Sequence, residues 1–362
     1  MRQGLVMALI LAFATGAYAQ PPATTTVPAP APAVDKKAPD GKAVLEQLKA
    51  DADVLRPLLA SPLAQTFLNA TSALPEPTTH TILRDKSRTH AYTPEQAAML
   101  PEDQQKALSP RTFDPAFFYY TGYGSPLIFG RALDVLDHSC PTAPTSLSGK
   151  KIMDFGCGTI AHLRMLAAMG ADVHGVDVEP VFRALYGPDD QGEVPGVNGA
   201  PAGRVAMHIG RWPAERDIVR DVGGGYDLIT SKNTLKRGYI HPARKTDPRF
   251  LVNLGVDDAT FLRQVHDALK PGGLFLIYNL SPAQNTVESG KPYLPHADGE
   301  CPFAPEQLAA ARLEIIQFDH DDRDKAVELW MALGISEGKS AEETRKDLFA
   351  WYTLCRRSIA DR

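Results

Sequence analysis

Cysteine is scarce in this chain of 362 residues: Cys140, Cys157, Cys301 and Cys355 stand far apart, and no two form a C-x-x-C pair. That spacing suggests neither a zinc motif nor a redox dithiol. In an oxidising compartment one or two disulfides could join them, and the spacing does not choose the pairing. An excess of positive charge is also missing. With 38 Lys and Arg against 43 Asp and Glu, the formal net charge is −5, so nothing draws the chain as a whole to nucleic acid or anionic lipid. No nucleic-acid partner is expected. No internal repeat is visible. What is present is apolar residues, 44% of the chain, enough for a globular core.

The N-terminus reads "MRQGLVMALILAFATGAYAQ", a positive start, an apolar stretch and small residues at Ala17 and Ala19. This is the pattern of an export signal over residues 1–19, cleaved before Gln20. The apolar stretch is shorter than the roughly 20 residues that span a bilayer, so no permanent anchor is expected and the protein is placed in the periplasm or outside the cell; an uncleaved signal acting as an anchor is the alternative. Residues 20–40 are rich in Pro, Ala and Thr and read as an extended linker. Residues 41–112 read as a helical extension. Val44, Leu48, Leu55, Leu58 and Leu59 fall at near-helical spacing broken by Pro57 and Pro62, and the stretch from about 75 to 112 reads as short helices and loop wrapping the main domain. An aromatic cluster follows at Phe117, Phe118, Tyr119, Tyr120 and Tyr123, then an amphipathic helix.

Beyond residue 149 strand and helix patterns alternate. "KKIMDF", "ADVHGVDV", "RVAMHI", "YDLITS" and "LFLIYNL" are apolar runs of strand length, with helical sequence in "TIAHLRMLAAMG" and "DDATFLRQVHDAL", and "LEIIQF" and "LFAWYTLCRR" add two late strands. This predicts an α/β fold with a mainly parallel, Rossmann-like sheet covered by helices on both faces. Residues 113–362 form that domain.

Between the first strand and its helix stands Gly156-Cys157-Gly158-Thr159-Ile160-Ala161, and Asp177 ends the next strand. Glycines let backbone approach a cofactor closely, and an acid at that strand end can hold both hydroxyls of a ribose. Asp154, two residues before Gly156, selects among cofactors. A dinucleotide places a pyrophosphate at this turn, which a carboxylate repels. S-adenosylmethionine carries a sulfonium and an ammonium, which a carboxylate favours.

"DFGCGT" followed by "GVDVEP" resembles the first two motifs of the class I S-adenosylmethionine-dependent methyltransferases, and "YDLITSKNTL" and "ALKPGGLFLIYNL" resemble that family's fourth and fifth strands. The resemblance implies a seven-stranded sheet with "FAWYTLCRR" as its antiparallel last strand, and S-adenosylmethionine as cofactor. Asp154, Gly156, Cys157 and Gly158 would surround its methionyl part and Asp177 would hold its ribose. Where the family has an acid near the adenine this chain has Arg211, and Trp212 is expected to stack on the ring instead; Tyr123 is expected to close over the cofactor.

Methyl transfer depends chiefly on placement of the acceptor, with or without a base. The segment after "YDLITS" offers Lys232, Asn233, Tyr239 and His241 as groups that orient or deprotonate an acceptor, and its Lys232, Lys236, Arg237, Arg244, Lys245 and Arg249 form either a solvated face or a rim for an anionic small molecule. Residues 281–305, with five prolines, read as a lid in which Tyr293 and His296 reach the substrate. The acids of "FDHDDRDK" read as a solvated turn, and no metal is expected. The sequence supports an S-adenosylmethionine-dependent methyltransferase acting on a small molecule. An exported, non-catalytic binding protein of the same fold and an NAD-dependent oxidoreductase are the alternatives.

Overall fold

A computed structural model describes residues 40–121, 124–141 and 143–359. The expected export signal, the linker up to residue 39 and Tyr123 lie outside the described residues. Helix α1 (Gly41–Leu55) forms because Val44, Leu48, Ala52 and Leu55 recur along one face, all of them buried. Pro57 lies beyond its end, and Pro62 opens α2 (Pro62–Asn69), where a missing N–H costs nothing. The Asp137 carboxylate, from another element, accepts the Leu63 N–H at 3.0 Å.

The stretch after residue 75 is not only helix and loop. It folds into a small antiparallel sheet, β1 (His80–Asp85), β2 (Ala91–Tyr92) and β3 (Leu108–Phe113), with β1 in the centre. In β1 only Ile82 is buried and in β3 only Phe113, so the alternating apolar pattern that announces a strand is absent. Short helices α3 (Pro94–Ala98) and α4 (Glu102–Lys106) join β2 to β3, and α5 (Pro115–Tyr119) and α6 (Phe129–Ser139) lead into the main domain.

There the elements are β4 (Lys151–Phe155), α7 (Ala161–Ala168), β5 (Asp172–Asp177), α8 (Val181–Leu185), β6 (Gly192–Val194), β7 (Gly203–Ile209), α9 (Arg216–Val222), β8 (Tyr226–Lys232), α10 (Arg237–Ile240), α11 (Asp258–Ala268), β9 (Leu269–Pro282), α12 (Pro305–Ala310), β10 (Leu313–Asp321), α13 (Arg323–Ala332), α14 (Ala341–Asp347) and β11 (Leu348–Arg357). The strands form one sheet in the order β10-β11-β9-β8-β4-β5-β7-β6. Strands β4, β5, β7, β8 and β9 run parallel, and β11 is antiparallel to β9 as expected. The sheet has eight strands, not seven. The extra one is β6, a three-residue edge strand antiparallel to β7, too short to be seen as a pattern. The "KPGG" stretch lies inside the span of β9, where Gly272 takes φ +80° and the pairing with β8 shifts register.

Both faces of the sheet are buried, which is why its strands are apolar at successive positions. On one face Ile152, Leu228, Leu274 and Tyr278 pack with α1, α2, α6 and α7. On the other Met153, Phe155, Ile229, Phe275 and Ile277 pack with Phe261, Leu262 and Val265 of α11. The chain enters the sheet at β4, builds outward through β5 and β7, then returns to add β8 beside β4, so the order reverses between β4 and β8 and opens a crevice at their C-terminal ends.

All four cysteines are buried free thiols, so no disulfide joins them in this fold. The acids of residues 318–325 are not a solvated turn throughout. Asp322 is buried and takes a two-pronged hydrogen bond from Arg131 and the Tyr278 hydroxyl at 2.9 Å. Among the described residues no helix is long and apolar enough to cross a membrane, and no three His, Cys, Asp or Glu side chains gather as a metal site would require.

Candidate functional site

The glycine loop leaves β4 at the reversal point and is sewn to β5. The N–H groups of Gly156 and Cys157 both donate to Val176 O, at 2.8 and 3.1 Å. Gly156 and Gly158 have φ +74° and +63°, the left-handed region that glycine adopts without strain. Their surroundings differ. A Cβ at position 156 would lie 2.2 Å from Thr234 Oγ1, whereas at 158 nothing stands within 4 Å. Gly158 therefore keeps open space before it, and Gly156 is packed against the chain's own threonine.

Asp177, at the end of β5, accepts the Gly158 N–H on Oδ2 and the Glu179 N–H on Oδ1, each at 2.9 Å. Burial pushes its carboxyl above the ordinary range, opposed by those two N–H groups. Each oxygen retains a lone pair for a further donor. Beside it Val178 is 54% exposed, an apolar side chain held at the crevice that the sequence reading passed over.

Asp154 forms the floor, 1% exposed. The Thr230 hydroxyl on β8 donates to Oδ1 at 2.6 Å, and His162 Nε2, from the first turn of α7, lies 2.8 Å from Oδ2. Phe129 stacks on His162 with ring centroids 5.1 Å apart. Neither His162 nor Thr230 was found from the sequence. The available signal was a histidine at the start of the helical run "AHLRMLAA" that follows the glycines. Cys157 contributes backbone rather than thiol, because its buried Sγ packs against Gly175 and burial pushes the thiol well up.

Trp212 is not placed to stack on a ring in an open crevice. It is 2% exposed and wedged edge-on against Phe155 and Phe261 in the core beneath; its large apolar surface is worth more there. Arg211 beside it is exposed.

Of the four groups after "YDLITS", the structure brings Lys232 beside Asp154 and engages the other three in contacts of their own. Lys232 ends β8 in register with Tyr278. Burial lowers its ammonium to about 8, with Asp154 acting in the opposite sense. Asn233 holds strands together: at φ +64° its N–H donates to Tyr278 O at 3.0 Å and its Oδ1 accepts the Leu280 N–H at 2.7 Å. Tyr239 lies beside Lys236, whose Nζ is 5.7 Å from its ring centroid. His241 pairs with Asp258 at 2.9 Å, at the start of α11. It borders a separate open groove of about 740 Å³, lined by Ile240, Leu251, Val252, Leu254 and Val256.

The basic run is not an open anionic rim. Lys236 is buried and donates to the carbonyls of Leu280 and His296 and to Ser281 Oγ. Arg237 pairs with Asp298 and Glu300, Arg244 donates to Asn285 O, and Arg249 pairs with Asp247. Lys245 is exposed. These bonds make the segment after β9 a fixed wall: the Tyr293 hydroxyl donates to Asp298 at 2.8 Å, and Asn279 Nδ2 reaches Leu235 O and Gly299 O at 2.8 and 2.9 Å. Tyr293 is thus engaged within the wall, and His296 anchors it through its carbonyl.

No family model and no curated protein matches the chain. Among solved structures, the chain is similar to geranyl diphosphate C-methyltransferase from Streptomyces coelicolor A3(2), solved with S-adenosyl-L-homocysteine, at 14% identity over 64% of this chain and 79% of that one, TM-score 0.37. It is similar to an S-adenosylmethionine dependent methyltransferase from Mesorhizobium loti at 18% identity over 62% and 96%, TM-score 0.35. The third is a phosphoethanolamine N-methyltransferase from Haemonchus contortus, at 15% identity over 69% and 62%, TM-score 0.38. The fold assignment rests on the strand order and directions described above.

Proposed function

We propose that the chain is an S-adenosylmethionine-dependent methyltransferase acting on a small molecule. The observation that carries this reading is the pair of carboxylates that brackets the glycine loop, Asp154 beneath it and Asp177 across from it, with Gly158 open between them. This pair of acceptors suits a ligand with positive charge and ribose hydroxyls, and it opposes a pyrophosphate. When bound, S-adenosylmethionine supplies a methyl group already activated by positive sulfur. The chain's own part is to receive the ribose at Asp177, to offer Val178 as an apolar surface for the adenine, and to keep the anion of Asp154 fixed by His162 and Thr230. The self-paired basic run gives an anionic acceptor little support.

Calorimetric titration with S-adenosylmethionine and, separately, NAD tests the assignment. Micromolar binding of the first alone, lost in Asp177→Ala, is expected; unchanged binding in that variant sinks the site. A second reading is favoured by the internal engagement of both Asp154 oxygens, namely a binding protein that keeps the fold without the reaction. Absence of binding to either cofactor supports it. The N-terminal signal read from residues 1–19 supports placing the protein beyond the membrane, which detection of a chain starting at Gln20 outside the cytoplasm checks.

A further inference from the structure

We propose that Lys232 is the group that faces the positive sulfur of the methyl donor, and that its Nζ gives up a proton to solvent when the donor binds. The inference rests on the methyltransferase reading above. Lys232 stands two residues after Thr230, the register partner of Asp154 and the donor to its Oδ1. Alternate strand residues share a face, so Lys232, Thr230 and Asp154 project together. Two residues further on, Thr234 Oγ1 donates to Gly156 O at 3.2 Å, which lays the end of β8 directly on the glycine loop. Lys232 therefore borders the space in which a ligand held by Asp154 and Asp177 must lie.

The titratable and charged groups around it come from every neighbouring element. Asp154 stands on β4 and His162 on α7, already paired with each other. Tyr278 on β9 gives its hydroxyl to Asp322, which Arg131 on α6 also holds. Lys236 follows β8, Cys157 lies on the loop and Asp177 ends β5. Asp154 holds the Lys232 ammonium in its charged form while burial opposes it, leaving it at about 8. A sulfonium brought between Lys232 and Asp154 adds a second positive charge to a space with little solvent, and the ammonium relieves the repulsion by dissociating. One proton leaves Nζ, and the nitrogen keeps the bonding pair as a lone pair. S-adenosylhomocysteine lacks the methyl group and the sulfonium charge, so it makes no such demand.

The full chain is titrated calorimetrically with S-adenosylmethionine and with S-adenosylhomocysteine at pH 6.5 and 8.5, in buffers of different ionisation enthalpy. Proton release is expected with the first ligand and not the second. The ratio of the two affinities should shift toward S-adenosylmethionine by roughly sixfold between the two pH values, as a lowering of roughly one pH unit from about 8 in the Lys232 titration requires. Lys232→Met should abolish the shift. Lys232→Arg, which keeps both charge and a long side chain, should also abolish the shift: it should bind S-adenosylmethionine about as the unaltered protein does at pH 6.5, where the lysine is already charged, and about eightfold more weakly at pH 8.5, with S-adenosylhomocysteine within about twofold at both. A shift that persists in Lys232→Met, or equal pH dependence of the two ligands, overturns the proposal while leaving the cofactor site intact. Binding of neither ligand overturns the cofactor reading and this inference with it.

Discussion

Thr234 Oγ1 occupies the space that a side chain at position 156 would need: a Cβ there would approach it to 2.2 Å, and the same hydroxyl donates to Gly156 O. The two glycines of the loop therefore serve different ends, and substitution separates them. Gly156→Ala combines a clash with a left-handed backbone and should cost about 2–4 kcal/mol, lowering the melting temperature by several degrees. Gly158→Ala meets no neighbour and should cost about 1 kcal/mol, but its methyl fills the open space and should reduce cofactor affinity at least tenfold. Thermal melts and calorimetry on both variants check the contrast.

The N-terminal sheet is tied to the cofactor crevice by Arg84 of β1, whose Nη2 lies 2.8 Å from Glu179 Oε1 with both side chains largely buried. Glu179 is the residue whose N–H binds Asp177. Arg84→Met should release residues 80–113 locally, speeding their amide exchange by roughly tenfold, the equivalent of about 1.4 kcal/mol. Cofactor affinity should fall with it. Unchanged exchange in these residues would show that the sheet is held by other contacts, such as the aromatic pairs His80 on Phe118 and Phe113 on Phe117.

Lys236 makes stability depend on pH on the alkaline side. Burial holds its ammonium at about 7 against an ordinary 10.5. Between those values the unfolded chain binds more protons than the folded one, so stability rises as pH climbs from about 7 to 10.5, and the penalty of the buried charge is present in full below 7. Lys236→Met should flatten that limb of a urea-denaturation profile, by an amount on the order of a few kcal/mol.

Arg131 bridges two carboxylates, Asp134 on its own helix and Asp322 after β10. Arg131→Met leaves both buried without a cation and should destabilise the fold by about 3–5 kcal/mol. Lysine should restore only part of this, because one ammonium cannot reproduce the two-pronged bond to Asp322. Equilibrium urea unfolding measures both.

Much of this protein is legible in its amino acids alone. The parallel strands announce themselves because burial on two faces leaves runs such as "KIMDF" and "LFLIYNL" nearly free of polar residues, and the glycine loop is readable because only glycine takes its backbone angles cheaply. The pattern also marks β11 as a strand, and its antiparallel direction is implied by the resemblance to the class I methyltransferases. What escaped was short, exposed or polar. Strand β6 is three residues long, β1 and β3 bury one side chain each, and neither gives a period to detect.

The sequence by itself determined the α/β class, the position of the crevice and the acids that border it, since these follow from local pattern and from the residue types a turn or a strand end tolerates. Only the tertiary structure decided which candidate side chains remain at the site. Asn233 and Lys236 are drawn into hydrogen bonds with β9 and its following wall, His241 goes to Asp258, Trp212 goes into the core, and His162 comes from α7 to meet Asp154. Those outcomes are set by which buried polar group must find a partner among residues distant in the chain, and that accounting exists only once the strands are side by side.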